Sequence, residues 1–321
     1  MEIYETRSEI GKKHNWLLSL VLLVLIIFGS MAIMQGLSLF LVPPLFGIPV
    51  DDILYIFGGN YEHPNARLAF LFMQGVGSGL GFLVGSLIYI KFIDRGTLRW
   101  KQQLKNTKFN QSILIVPILL SFVTVNSLVI YWNTQISFPD FMKSFEIYAQ
   151  TQEAEMMRLT QYFTDFANVG EFLLGILVIG ILAGVGEEYL FRGLLQPKLH
   201  QYTGNPHVAI WLTAAIFSAI HFQFYGFFPR MLLGALFGYL YLYSGSLIYP
   251  IAAHVLNNAF TVTMVYFSKI GWVEFNIEDS SQLEWHYLII GLVIFLFSFK
   301  RFIDQSHNSP FHGKMADRHH H

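Results

Sequence analysis

A series of uninterrupted apolar stretches, most of them near 20 residues long, constrains this chain more than any other feature. Lipid offers the backbone no hydrogen-bonding partner, so a chain crosses about 30 Å of hydrocarbon only as a closed barrel or as helices of roughly 20 apolar residues. Eight segments are candidates: 16–42, 66–92, 112–132, 169–199, 207–224, 230–243, 247–267 and 285–302. The sixth is short in apolar length and the fourth is long. Composition agrees, because 54% hydrophobic and 13% charged residues leave too little polar surface for a soluble globule of 321 residues. The expected fold is all-α: a polytopic integral membrane protein of about eight transmembrane helices. The first run far exceeds a signal-peptide core and lacks a small-residue cleavage site after a short apolar region, so it is expected to be a retained span.

Charge placement sets the orientation. The chain carries 20 Lys and Arg against 21 Asp and Glu, a formal charge of −1, which gives no basic bias toward nucleic acid. Lys91, Arg95, Arg99, Lys101, Lys105 and Lys108 follow the second stretch, and Lys300 and Arg301 end the eighth. Under the positive-inside rule those loops are cytoplasmic, as are both termini. The opposite loops are acidic: Asp51, Asp52 and Glu62; Asp140, Glu146, Glu153, Glu155 and Asp165; and Glu274, Glu278, Asp279 and Glu284. Between Phe138 and Asn168 apolar residues recur at helical intervals in a segment too polar to span, and an amphipathic helix on the outer face is expected there. Glycines 75, 77, 79, 81 and 85 form small-xxx-small pairs and are read as a packing surface. Cysteine is absent, which excludes disulfides, thiolate metal sites and a cysteine nucleophile. The chain divides into 1–168 (three spans and the amphipathic segment), 169–305 (a helical core) and 306–321 (a tail with a tag-like His319–His321 end).

Ionisable groups inside spans are expensive, about 2.5–3.5 kcal/mol each on translocon scales, and here they concentrate in the second half. The fourth stretch holds Glu187, Glu188 and Arg192, the fifth ends at Phe217 and His221, and the seventh holds His254, Asn257 and Asn258. Glu188 and Arg192, four apart on a helix, share a face and can pair. Glu187 lies about 100° around and is left unpaired by local geometry. If Gly204-Asn205-Pro206 turns a helical hairpin, Glu187 and His221 are equidistant from Gly204 and come level. His254 and Asn258 share a face and can both donate hydrogen bonds to one point, as an oxyanion site requires. Asn257 is read as interhelical packing glue.

Other intramembrane chemistries lack their signatures. There is no HExxH, no GxGD and no P-loop, and the first Gly of a GxSG motif would fall on Val76. As a set, EExxxR (Glu187, Glu188, Arg192), FxxxH (Phe217, His221) and HxxxN (His254, Asn258) resemble the motifs of the CPBP family, which includes the CAAX prenyl endopeptidases of eukaryotes and the bacterial Abi-type proteins. The resemblance covers about 169–267. It implies a buried, cytoplasm-facing catalytic cavity and an endopeptidase acting on a membrane-associated substrate, either a prenylated CAAX-type protein or a bacterial peptide or membrane protein. Glu187 would be the general base, His221 would share the proton traffic, His254 and Asn258 would hold the oxyanion, and Glu188 with Arg192 would support the site. Metal dependence stays open here. The resemblance favours a cofactor-free glutamate mechanism, while Glu187, His221 and His254 also form a plausible three-ligand zinc set. A non-proteolytic scaffold, an immunity protein or a proton-relaying transporter is the alternative from another class.

Overall fold

The computed structural model describes residues 3–57, 63–274 and 284–307. Glu62, Glu278, Asp279 and the tail from residue 308 lie outside them. Every regular element among the described residues is helical. In chain order they are α1 (Trp16–Phe46), α2 (Val50–Phe57), α3 (Ala66–Ile93), α4 (Trp100–Asn106), α5 (Phe109–Thr134), α6 (Lys143–Thr164), α7 (Val169–Thr203), α8 (Pro206–Ala219), α9 (Phe227–Ser244), α10 (Ile248–Lys269) and α11 (Trp285–His307). Single-turn 3-10 pieces precede α1 and α6.

Five of these helices, α1, α3, α5, α7 and the 285–306 part of α11, are long and apolar enough to cross a bilayer. The protein is an integral membrane protein. The other three expected spans are helices as well, but they do not reach that standard. At 14 residues α8 is only about 21 Å long. It stops at Ala219, five residues short of the expected 224, because Ile220 to Phe222 close on themselves through tighter bonds: His221 N–H donates to Ser218 O and Phe222 N–H to Ala219 O. Helices α9 and α10 carry the site's polar residues and are less apolar as a result.

Lipid-facing rows are plain on the outer helices. Phe28, Ile33 and Phe40 of α1 are 65–77% exposed, and Ile289, Val293 and Phe297 of α11 are 61–64% exposed, as apolar side chains in hydrocarbon would be. The helices are tied at both ends. At the basic end the N-terminal segment is drawn under the α3–α4 connection: Arg99 N–H donates to Ile3 O, and buried Asp94 pairs with Lys198 of α7 at 2.8 Å and receives the Tyr4 hydroxyl. At the acidic end Arg67 bridges Asp165 and Glu171, both at 3.1 Å. Between them α6 forms as a polar, partly buried helix, matching the expected amphipathic segment.

The glycine-rich α3 packs against α7. A Cβ at Gly186 would run into the Gly79 carbonyl oxygen, and one at Gly79 would meet Leu182 backbone atoms at 3.1–3.3 Å. On its other side α7 lies close to α10 through Gly184, where a Cβ would sit 3.2 Å from Val255 N. These approaches fix the height of the acidic pair on α7 against the His-bearing face of α10. Two wide π-helical turns, Ile176–Leu182 and Tyr189–Leu195, flank the pair. Such turns recur at functional positions because they re-aim side chains and free carbonyls within an otherwise regular helix. Surface hollows of about 380 Å³ beside Lys108 and Gln305, and of about 400 Å³ between α5 and α11, lie away from this region.

Candidate active site

Glu188 faces the interior of the bundle and is fully buried, as is Arg192. Their expected pairing is present: Arg192 Nη1 donates to Glu188 Oε1 at 2.7 Å. The second guanidinium arm, Nη2, donates to Gly234 O of α9 at 2.7 Å, and the guanidinium carbon lies 4.9 Å from the Phe217 ring centroid and 5.4 Å from that of Phe237. Two buried charges are tolerated here because each has a charge-assisted bond and the cation is bracketed by aromatic faces. The same Glu188 Oε1 accepts from His254 Nδ1 at 2.8 Å. One carboxylate oxygen thereby joins α7 to α10 and, through Arg192, to α9.

That contact orients His254. With Nδ1–H committed to Glu188, Nε2 points at the second carboxylate and lies 3.8 Å from Glu187 Oε2. This is too long for a direct hydrogen bond. In a neutral ring Nε2 accepts, and in an imidazolium both nitrogens donate. Glu187 is 15% exposed, against none for Glu188. Of the two carboxylates, Glu187 is the one open to a small molecule.

His221 sits past the end of α8. Its Nδ1 donates to Phe217 O at 2.9 Å, so a neutral ring carries its lone pair on Nε2. Phe222, the next residue, has φ +54°, a left-handed conformation that a bulky residue adopts only when its surroundings force it. Phe217 packs edge-on against His221 and His254, with centroids 5.3 and 5.9 Å away, and fills the space between the two imidazoles. Sequence spacing set His221 level with Glu187, but the imidazole within ion-pair distance of Glu187 is that of His254. Asn258 lies one turn beyond His254. Its Nδ2 donates to Ile179 O in the first wide turn of α7 at 3.0 Å, and its Oδ1 accepts from Asn257 at 3.2 Å. One of the two Asn258 N–H bonds is therefore occupied by α7.

Two further residues belong to this region. Arg230, at the start of α9, donates through Nη2 to Gln223 Oε1 at 2.6 Å, and Gln223 donates through Nε2 to Glu153 Oε1 of α6 at 3.0 Å. The Arg230 charge bears on Glu187, His221 and Glu153 together. Burial raises the Glu153 carboxyl above its ordinary range, with the Arg230 charge opposing that shift. In the sequence Arg230 marked only the start of a span and Glu153 only an acidic loop. Their separation left no spacing signal, and an arginine just after Pro229 at a helix start is ordinary.

Among the described residues no three His, Asp or Glu side chains are gathered as a metal-binding group. His254 is turned between two carboxylates and His221 is tied to Phe217 O, so Glu187, His221 and His254, the alternative zinc set, are not gathered as three ligands here.

A carboxylate pair, two imidazoles and an amide are thus contributed by α7, α10 and the end of α8 inside a helical integral membrane protein. Residues 169–260, which include every motif residue from Glu187 to Asn258, match the family model "Type II CAAX prenyl endopeptidase Rce1-like". Among curated proteins, an uncharacterized protein, YpbD, of Bacillus subtilis (strain 168) is 28% identical over 99 residues, 30% of this chain and 48% of the relative. The chain thus spans about half the length of that relative. No solved structure matches.

Proposed function

We propose that the protein is an intramembrane endopeptidase that hydrolyses a peptide bond of a membrane-associated substrate with a water activated by Glu187. The observation that carries this reading is the arrangement of the two adjacent glutamates. Glu188 is spent on Arg192 and His254, while Glu187 keeps a partly open carboxylate 3.8 Å from His254 Nε2. Amide hydrolysis needs a base for water, donors for the tetrahedral oxyanion and a proton for the leaving amine. Glu187 takes the proton of the attacking water. His221, its Nε2 lone pair held in place by the Nδ1 bond to Phe217 O, shares the proton traffic to the amine nitrogen. His254 donates to the oxyanion when both its nitrogens carry protons. The second N–H of Asn258 adds to it. Arg192 and Glu188 act on the substrate only through His254 and are positioning residues.

The substrate class we infer, supported by the family match and the setting in the membrane, is a CAAX-type prenylated protein, or a bacterial peptide or membrane protein presented from the bilayer. The basic end, with Lys91, Arg95, Arg99 and Lys101, is read as cytoplasmic. The test is turnover of a quenched prenyl-CAAX peptide and of a membrane-protein library by the purified chain beside Glu187→Gln, with zinc analysis of the same sample. Cleavage by the wild type and none by Glu187→Gln supports the reading. Equal cleavage by both overturns it, and stoichiometric zinc lost on mutation would make Glu187 a ligand instead of a base.

A further inference from the structure

Arg230 at this site is a cationic side chain that none of these roles uses. Arg230 Nη1 is buried and has no hydrogen-bond partner, while Nη2 of the same guanidinium is anchored on Gln223. The planar group lies over Gly226, where even a Cβ would meet Nη2 at 3.1 Å and Nη1 at 3.3 Å, so glycine leaves the seat the guanidinium occupies. Behind it Glu153, whose Oε2 is likewise buried and unpartnered, supplies the opposite charge through Gln223. A buried guanidinium edge left without an acceptor loses the solvation of its N–H groups unless a ligand restores the bond.

The surroundings say what that ligand can be. The charged and titratable groups of this region are Glu187 and Glu188 with Arg192 on α7, His254 on α10, His221 after α8 and Glu153 on α6. Arg230 already has Glu153 as its counter-charge, which suits a neutral acceptor, and a peptide beside Glu187 presents backbone carbonyl oxygens. Resting on the endopeptidase reading, we propose that Arg230 is a substrate-positioning residue: its free Nη1 edge donates to a backbone carbonyl oxygen of the peptide bound beside Glu187, and Gln223 and Glu153 hold the guanidinium in place. The amphipathic helix α6 is thereby part of the substrate site, not only a surface element.

The test uses the full chain in detergent, with binding of a fluorescein-labelled farnesylated CAAX-type peptide read by anisotropy in the Glu187→Gln background, where nothing is cleaved. Adding Arg230→Gln should weaken binding by the folded protein about tenfold or more, and Arg230→Lys should recover part of the loss. Glu155→Gln, on the exposed side of α6, should bind as the parent does. Equal binding with and without Arg230→Gln, or no peptide binding by the parent, overturns the proposal. So does recovery of binding in Arg230→Glu/Glu153→Arg, which would reduce the pair to a latch between helices. If Arg230→Gln fails to fold, Gln223→Ala decides: weaker binding supports the proposal and unchanged binding overturns it. Peptide that binds through Arg230 but is not cleaved by the wild type would defeat the proteolytic reading alone.

Discussion

Glu188 Oε1 accepts from Arg192 Nη1 at 2.7 Å and from His254 Nδ1 at 2.8 Å, so one buried oxygen sets the position of a histidine on another helix. Removing one side of such a buried ionic contact leaves a charge without compensation, which typically costs about 3–5 kcal/mol. Arg192→Ala should therefore lower stability by about that amount, and Glu188→Ala by a similar one, in thermal or denaturant unfolding of the detergent-solubilised chain. A loss below about 1 kcal/mol in both would show that water or lipid reaches the pair.

Glu187→Gln should separate chemistry from structure. The side chain is partly open, and its nearest charged partner is His254 at 3.8 Å, so the neutral isostere should melt close to the wild type while turnover disappears. Loss of fold comparable to Arg192→Ala would assign Glu187 a structural role beside Glu188.

Much of this site was legible in the sequence, for reasons that can be traced to residues. The i to i+4 spacing of Glu188 and Arg192 fixes a shared helical face, and the pair survives even though the helix widens at Tyr189–Leu195. The glycines of α3 announced a close approach and make one, against Gly186 and Leu182. The offset in depth between His254 and the glutamates had no account from spacing. It arises because α7 runs on to Thr203 past Glu188, whereas α10 begins at Ile248, less than two turns before His254. Two features stayed hidden. The left-handed Phe222 takes His221 out of the regular helix, and nothing in a non-glycine residue advertises that conformation. The Arg230–Gln223–Glu153 chain joins α9 to α6 across a long stretch of sequence, where no periodicity connects them.

Asn258→Ala tests the division of labour at the oxyanion. One N–H of Asn258 is held by Ile179 O, which fixes the amide plane and leaves the other to the substrate. Loss of an oxyanion donor lowers kcat by about 10²–10³ elsewhere, and a fall of that size is expected here, with a small drop in melting temperature from the lost bond to α7. A drop in melting temperature with unchanged kcat would leave Asn258 as interhelical glue.

Gly186→Ala should act through the backbone. The added methyl would meet the Gly79 carbonyl oxygen, an atom that moves only with its helix, so α3 and α7 must part and the acidic pair must shift against His254. Overpacking of this kind costs about 1–3 kcal/mol. Turnover should fall more than stability, since the Glu187–His254 separation depends on the same crossing. Full activity in Gly186→Ala would show that the α3–α7 contact does not set the site.

Glu153 gives the stability a pH dependence with a definite sign. Burial raises its carboxyl above the unfolded value, so in the window between the two the folded chain binds the proton more readily than the unfolded one. Its contribution to stability is complete below the unfolded value, near pH 4.3, and is lost as pH rises through the folded one. Glu153→Gln, which stays neutral, should abolish that decline, and the difference in melting temperature between Gln and wild type should grow in favour of Gln as pH rises across the window. The Arg230 charge opposes the shift, so in Arg230→Gln the decline should extend to higher pH than in the wild type. Parallel melting profiles for wild type and Glu153→Gln would mean that water reaches the Glu153 carboxylate and that α6 is not closed over Arg230.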